Sequence, residues 1–305
     1  MTILEVNNIS KSFGSQQVLE DVTFSVPKGS VFGFIGKNGA GKTTTMNIAL
    51  GLLKADEGEI TIQGNKVQYG ETKTNKLVGY LPDVPEFYSF LTAREYLTLC
   101  TDIIGMDSKQ ATGKITELLE TVGLEDSKKR IKTYSRGMKQ RLGIAQALIN
   151  DPVLLICDEP TSALDPVGRK TLLSVLEKVK EKTTVIFSTH ILSDVESICD
   201  EVAILNDGKI VLQGSVPYLK SQLANESWSI VCETEQEACQ MKEALETFPL
   251  FKEIQLSKQT MLGSSTDMKE AMSIILQSLA NLSITPIKVE REAVTMEDVF
   301  LEAVK

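Results

Sequence analysis

One glycine-rich segment constrains the fold of this chain more than any other feature of its sequence. Residues 36–43 read Gly-Lys-Asn-Gly-Ala-Gly-Lys-Thr, which fits the pattern G-x-x-x-x-G-K-[ST]. The segment follows an apolar run at residues 31–35, typical of a fully buried strand, and precedes a helix-like stretch at residues 44–53. A loop in this setting binds a triphosphate, because its backbone N–H groups and the helix N-terminus face the phosphate oxygens.

Two side chains of this loop have specific expected roles. We expect Lys42 to reach the β- and γ-phosphates, and the hydroxyl of Thr43 to ligate Mg²⁺. The predicted phosphate-binding residues are Gly36, Asn38, Gly39, Ala40, Gly41, Lys42, Thr43 and Thr44. The alternative is a glycine-rich turn that matches the pattern by chance.

A second cluster ends another apolar run, at residues 153–156, in two carboxylates. Asp158 is expected to hold Mg²⁺, because a hard cation prefers oxygen ligands and keeps several waters. Glu159 is expected to face the γ-phosphate and polarise the attacking water. Taken alone, an Asp-Glu pair after a strand is more often the start of a solvated loop. The phosphate loop upstream favours the catalytic interpretation.

The alternation of strand and helix patterns predicts an α/β domain over residues 1–216. Within it, Thr92 and Glu95 predict a capping box for a helix that runs to about residue 104. The chain of 305 residues is long enough for about two domains. We therefore place a domain boundary near residue 216, where Pro217 follows and the pattern changes.

The remaining segment, residues 217–305, predicts a small α+β accessory domain. Its patterns read strand, helix, strand, strand, helix and strand, which is the order of a βαββαβ sandwich. A last helix is expected from Thr295 onwards. The domain could sense a ligand or serve dimerisation, and its sequence favours neither role.

Composition excludes several classes of protein. The net charge of −9 disfavours the broad basic surface that nucleic acid requires, so no nucleic acid is expected as a partner. No run of about 20 apolar residues predicts a membrane span. The first eight residues lack the features of a secretory signal, which predicts a cytoplasmic location. The five scattered cysteines fit reduced thiols.

Residues 134–141, Tyr-Ser-Arg-Gly-Met-Lys-Gln-Arg, resemble the signature sequence of ATP-binding cassette (ABC) ATPases. The usual form is Leu-Ser-Gly-Gly-Gln, which Ser135 and Gly137 match. The departures are Tyr134, Arg136 and Met138. The resemblance implies that Ser135 and Gly137 bind the γ-phosphate of a nucleotide held by the opposite subunit, so that one chain alone cannot build a complete site.

Further segments resemble the same family in the same order. Residues 162–165, Ser-Ala-Leu-Asp, resemble the D-loop, which implies that Asp165 lies near the nucleotide at the subunit junction. His190 resembles the switch histidine that senses the γ-phosphate. Phe13 stands where the family places an aromatic ring under adenine, although it could also be a core residue.

The Q-loop match is the most divergent one. Asp83 stands where the family usually has a glutamine that touches Mg²⁺, and a carboxylate there can also ligate the metal. The apolar run at residues 87–91 beside it resembles the region that meets the coupling helix of a membrane subunit. A buried start of a helix is the alternative for that run.

The resemblance implies an ABC-type P-loop ATPase domain over residues 1–216. Its expected parts are a RecA-like core, an antiparallel β subdomain and a helical subdomain at about residues 84–150. The implied function is an ATP-binding and ATP-hydrolysing subunit that powers an ABC transporter by ATP-driven dimer closure with ATP and Mg²⁺. The variant signature, acidic Q-loop and accessory domain resemble the exporter branch that handles antibiotics, peptides or ions.

The implied partners are separate transmembrane permease subunits and a second nucleotide-binding chain, in a homo- or heterodimer. The expected location is the cytoplasmic face of the cell membrane. The alternative is a soluble ABC ATPase that remodels a ribosome or nucleic acid, although such proteins tend to carry two linked cassettes. A P-loop kinase or GTPase is a further alternative, but neither needs the signature or the D-loop.

Overall fold

The computed structural model describes residues 1–70, 73–223, 226–292 and 294–305. The chain forms two compact units, one comprising Met1–Val216 with Phe300–Lys305 and the other comprising Pro217–Val299. In the described part of the chain, no helix combines the length and the apolar character needed to cross a bilayer.

Strands and helices alternate through most of the chain. The strands are β1 (Thr2–Phe13), β2 (Gln16–Pro27), β3 (Val31–Ile35), β4 (Glu57–Ile62), β5 (Asn65–Lys66), β6 (Val78–Leu81), β7 (Leu154–Asp158), β8 (Thr184–Thr189), β9 (Glu201–Asn206), β10 (Lys209–Ser215), β11 (Glu226–Val231), β12 (Phe251–Ser257), β13 (Thr260–Ser265) and β14 (Lys288–Glu292). The helices are α1 (Lys42–Ala49), α2 (Ala93–Ile103), α3 (Ser108–Thr121), α4 (Arg136–Ala147), α5 (Pro166–Lys180), α6 (Leu192–Ile198), α7 (Val216–Gln222), α8 (Glu235–Glu246), α9 (Met268–Asn281) and α10 (Met296–Ala303).

The central sheet of the first unit positions the candidate site. Its strand order is β10-β9-β3-β8-β7-β6, and β9, β3, β8, β7 and β6 run parallel. Every residue of β3, β7 and β8 is buried, as expected for strands covered on both faces. In such sheets ligands bind beyond the carboxyl ends of the strands, and the phosphate loop, Glu159 and His190 follow the ends of β3, β7 and β8.

A second sheet, with strand order β2-β1-β4-β5, is antiparallel. Its inner face shares one core with the central sheet, where the ring of Phe24 stacks on Phe32 at 5.8 Å and on Phe34 at 5.0 Å. Met46 of α1 belongs to the same core, so the helix that follows the phosphate loop is anchored by packing.

Helix α2 begins as its sequence predicts. The Thr92 hydroxyl accepts the Glu95 N–H at 3.3 Å, and the Glu95 carboxylate accepts the Thr92 N–H at 2.8 Å. The predicted capping box is therefore confirmed, and the helix ends within a residue of the expected position.

The second unit contains the predicted strand and helix order. Strands β12, β13, β11 and β14 lie side by side in that order and pair antiparallel, and α8 and α9 pack on them. Trp228 is fully buried in its core. Along the chain, β11 to β14 and the helices between them read strand, helix, strand, strand, helix and strand.

The sequence did not predict α6 and α7. We took Pro217 as the end of a structural element, but it lies in the first turn of α7. A missing backbone N–H costs no intrahelical hydrogen bond at that position, so a helix can begin there. Helix α6 spans 7 residues and its N-cap, Ile191, makes no side-chain hydrogen bond, so it lacked a local start signal.

Candidate nucleotide-binding and hydrolysis site

The phosphate loop can curl tightly because two of its positions exclude a side chain. A Cβ on Gly36 would lie 2.6 Å from the carbonyl oxygen of Leu205. Gly41 has a φ of 109°, which strains other residues, and a Cβ there would lie 2.5 Å from the side chain of Leu19. The backbone of β9 and the side chain of Leu19 therefore fix the path of the loop.

Lys42 is buried and folds back over the loop. Its Nζ donates to the carbonyl oxygen of Gly36 at 2.7 Å and lies 3.1 Å from Oε1 of Glu159. Since a buried ammonium requires anionic or carbonyl partners, this position suits phosphate oxygens that enter the loop.

Thr43 and Asp158 meet beside it. The Thr43 hydroxyl donates to Oδ2 of Asp158 at 2.8 Å. Asp158 is buried, and its other carboxylate oxygen, Oδ1, has no hydrogen-bond partner. An unsatisfied carboxylate oxygen beside a hydroxyl is the donor set that Mg²⁺ takes when it binds one or two protein groups together with phosphates. The two residues therefore fit the metal.

The two predicted catalytic residues, Glu159 and His190, are in direct contact. Oε2 of Glu159 lies 2.8 Å from Nδ1 of His190, while Oε1 of the same carboxylate faces Lys42. The backbone of Glu159 has a φ of 47°, uncommon for a residue with a side chain, and its N–H donates to the carbonyl of Ser188 at 3.0 Å. Neighbouring strands β7 and β8 hold this strained turn, which places the carboxylate in the cleft.

Two cavities flank the phosphate loop. One of about 200 Å³ lies at the loop glycines and is lined by Val18, Asn38, Gly39, Gly41, Lys42, Thr43, Thr44 and Glu159. The other, of about 280 Å³, is lined by Ile35, Gly36, Lys37, Asn38, His190, Leu192 and Phe300. Phe300 lies in α10, and no local motif in the sequence signals its position beside the loop.

The signature residues lie outside this cluster. Ser135 is exposed and caps α4, where its hydroxyl accepts the Met138 N–H at 3.2 Å, and Gly137 lies in the first turn. Asp165 caps α5 by accepting the Gly168 N–H at 3.2 Å. In the described ranges, neither Ser135 nor Asp165 shares a hydrogen bond or ion pair with Lys42, Thr43, Asp158 or Glu159.

Asp83 lies in a different set of contacts. Its Oδ1 accepts the Ser162 hydroxyl at 2.6 Å and lies 3.1 Å from Nη2 of Arg136. Its predicted role as a metal ligand has no counterpart among these contacts and stays a prediction.

Phe13 and the apolar run beside the Q-loop are at the surface. Phe13 is 50% exposed, and Nζ of Lys11 lies 5.4 Å from the centre of its ring, so the core alternative is wrong. Tyr88 and Phe90 are also exposed, which contradicts a buried start of a helix for residues 87–91.

The fold and the site define a P-loop ATPase. The family model for ABC transporters matches residues 19–162. YxlF, an uncharacterised ABC transporter ATP-binding protein of Bacillus subtilis, is 36% identical over 303 residues and 99% of each chain. The bacitracin transport ATP-binding protein BcrA of Bacillus licheniformis is 42% identical over 224 residues, 72% of each chain.

A solved ATP-binding subunit of an ABC transporter has a TM-score of 0.64 and 34% sequence identity, over 72% of this chain and 93% of that one. The chain belongs to the ATP-binding subunits of ABC transporters. The expected membership, fold class and ATPase activity are confirmed.

Proposed function

We propose that this chain powers an exporter through ATP-driven closure of a dimer, in which each nucleotide lies between two chains. One observation carries the proposal. Lys42, Glu159 and His190 meet at the end of the parallel sheet, whereas Ser135 and Gly137 stand at the start of α4 with no bond to them. A second copy turned head to tail would supply the missing anion-binding groups to each site.

The residues of one chain divide the chemistry among them. Lys42 exchanges its carbonyl and carboxylate partners for phosphate oxygens. Thr43 and Asp158 would hold Mg²⁺, which neutralises charge on the phosphates. Lys42 releases Glu159, which then orients the attacking water and accepts its proton. His190 contacts the γ-phosphate and stabilises the charge that develops on it.

Closure follows from where the nucleotide makes its contacts. ATP is bound by one chain in the open state and by two chains in the closed state, so its binding shifts the population towards closure. Loss of the γ-phosphate removes the bridge to Ser135 and Gly137, and the two chains separate. Phe13 stacks on the adenine, which by analogy with base stacking on aromatic side chains contributes about 1–3 kcal/mol.

The substitution Glu159→Gln tests dimer closure. The variant keeps the shape of the side chain but cannot accept a proton, so we expect it to bind ATP, hydrolyse it very slowly and accumulate as a dimer. Light scattering after size exclusion with ATP and Mg²⁺ measures its mass. The double variant with Lys42→Ala is the control and should stay monomeric. A monomeric Glu159→Gln variant at saturating ATP would contradict the proposal.

Transport requires a membrane subunit, and the chain has an exposed apolar surface beside the Q-loop where such a subunit could bind. Val84, Tyr88 and Phe90 expose 61%, 57% and 61% of their area. A cavity of about 300 Å³ lined in part by Cys100, Ile103 and Ile104 opens on α2. We propose that a permease docks here, which places the chain on the cytoplasmic face of the membrane. The similarity to BcrA supports a transport task, and the variant signature supports export.

Charge placed on this surface tests the docking. We expect Phe90→Asp to abolish co-purification of a permease from detergent-solubilised membranes and to leave ATP binding unchanged. Leu52→Asp, at another exposed apolar residue, is the control and should still retain the permease. Recovery of the wild-type chain with ribosomes instead of a membrane protein would favour the remodelling alternative.

A further inference from the structure

Asp83 connects two segments that lie far from it in sequence. Oδ1 of Asp83 accepts the hydroxyl of Ser162, and the Arg136 guanidinium lies 3.1 Å from the same oxygen. Ser162 stands three residues after Glu159 in the loop that begins the D-loop. Arg136 is the first residue of α4, between the two signature residues predicted to bind the partner's nucleotide. One carboxylate oxygen therefore links the signature to the catalytic loop.

The main chain at Asp83 is held by the same helix. Gln140 is fully buried, and its Nε2 donates to the carbonyl oxygen of Asp83 at 2.5 Å. It lies four residues after Arg136, so both side chains project from one face of α4. We call the group of Asp83, Arg136, Gln140 and Ser162 the Asp83 clamp.

Charge and geometry explain why these residue types occur together. An ionised Asp is an acceptor only, and both groups at its oxygen, the Arg136 guanidinium and the Ser162 hydroxyl, carry donor hydrogens. Asp83 and Arg136 expose 47% and 41% of their side chains, so their attraction alone contributes little to stability. The pair matters more for orientation, because it fixes the first turn of α4 relative to the loop that carries Glu159.

We propose that Asp83 is a positioning residue, rather than a metal ligand, and that the Asp83 clamp sets the signature turn for the partner's nucleotide. The inference rests on the proposed dimer. It also assigns a purpose to two departures from the usual family pattern, the acid at the Q-loop and the arginine in the signature, because each provides the partner that the other requires.

A double-mutant cycle in the Glu159→Gln background tests the Asp83 clamp. Asp83→Asn keeps the size of the side chain and Arg136→Gln shortens it, and each removes one charge of the ion pair. Each is expected to raise the ATP concentration for half-maximal dimer formation by about threefold or more. The double variant should be no worse than either single one, because both changes remove the same interaction. Additive effects, or none, would overturn the proposal.

The metal dependence separates positioning from ligation. If the Asp83 clamp positions the signature, the Mg²⁺ concentration for half-maximal dimer formation stays the same in both single variants. If Asp83 were a metal ligand, its loss in Asp83→Asn would raise this Mg²⁺ concentration, whereas Arg136→Gln would leave it unchanged. That result would refute the inference. Thermal unfolding of each variant should match the parent, and a large drop would assign the clamp a structural role instead.

Two controls separate this inference from the dimer proposal itself. Lys109→Gln removes a positive charge from an exposed position in the first turn of α3, and this variant should dimerise like the parent. Failure of the Glu159→Gln parent to dimerise would defeat the proposed function, and the inference with it. A parent that dimerises, with clamp variants indistinguishable from it, would defeat the clamp alone.

Discussion

At the scale of single residues, Glu159 is the centre of the site. Its two oxygens face a lysine and a histidine, and an uncommon backbone conformation holds it there. Because Lys42 is buried, its ion pair with Glu159 gives both charges a partner. We expect a triphosphate to give Lys42 new anionic partners and to release Glu159 to act on water.

His190 can be tested by truncation. We expect His190→Ala to lower kcat about a hundredfold, comparable to the loss of one donor to transition-state charge, with a smaller change in KM. Steady-state ATPase assays measure both constants. Dimer formation by the Glu159→Gln, His190→Ala double variant shows whether binding survives. Unchanged turnover would exclude His190 from the reaction.

Local signals made much of the site predictable from sequence. The phosphate loop, Glu159 and His190 each follow a buried strand of one parallel sheet, and Asp158 ends one of these strands, so the topology explains why they meet. The contacts of Asp83 could not be predicted in this way. Arg136 lies 53 positions away in another element, and no local sequence pattern indicates such a pairing. The position of Phe300 beside the loop had no local signal for the same reason.

At the scale of elements, explicit start signals separate the predictable helices from the others. Helix α2 begins with a capping box that is visible in sequence, whereas α6 has no side-chain cap. Helix α7 contains the proline that was taken as a boundary, and proline is ambiguous because it both ends helices and suits their first turn. The strands of the central sheet were easier to predict, because most of them are apolar runs bounded by turns, whereas β5 (Asn65–Lys66) of the second sheet has no apolar residue and was not predicted.

The contact between β11 and β13 provides a test of packing in the second unit. A Cβ on Gly263 would lie 2.4 Å from the ring of Trp228, which is fully buried. We expect Gly263→Ala to lower the free energy of unfolding of this unit by about 1–3 kcal/mol, because a well-packed core cannot absorb the extra methyl group.

Fluorescence isolates that unit, because Trp228 is the single tryptophan of the chain. Urea titration followed by tryptophan emission gives its unfolding midpoint, and ATP binding reports on the first unit. Ser264→Ala, at the next position of β13, is the control, because it adds no atom and removes only the 3.3 Å hydrogen bond from the Ser264 hydroxyl to the Lys252 carbonyl oxygen. An unchanged midpoint for Gly263→Ala would contradict the packing.

At the scale of the whole molecule, the first unit carries both the groups expected to hold a nucleotide and, at the start of α4, the groups expected to hold the nucleotide of another chain. The net charge of −9 fits partners other than nucleic acid. In the proposed dimer, division of the site between copies would make hydrolysis depend on assembly, and this dependence would couple the chemistry to the opening and closing of a transporter.

Mixing two inactive variants tests this division most directly. Lys42→Ala removes the phosphate-binding side of a chain. Ser135→Asp places a negative charge in the signature yet keeps a good N-cap for α4. In a mixed dimer, one of the two sites combines an intact Lys42 with an intact Ser135. An equimolar mixture should therefore show ATPase activity that neither variant has alone, since each mixed dimer has one complete site. Activity no greater than the sum of the separate variants would show that a nucleotide is not shared between two copies.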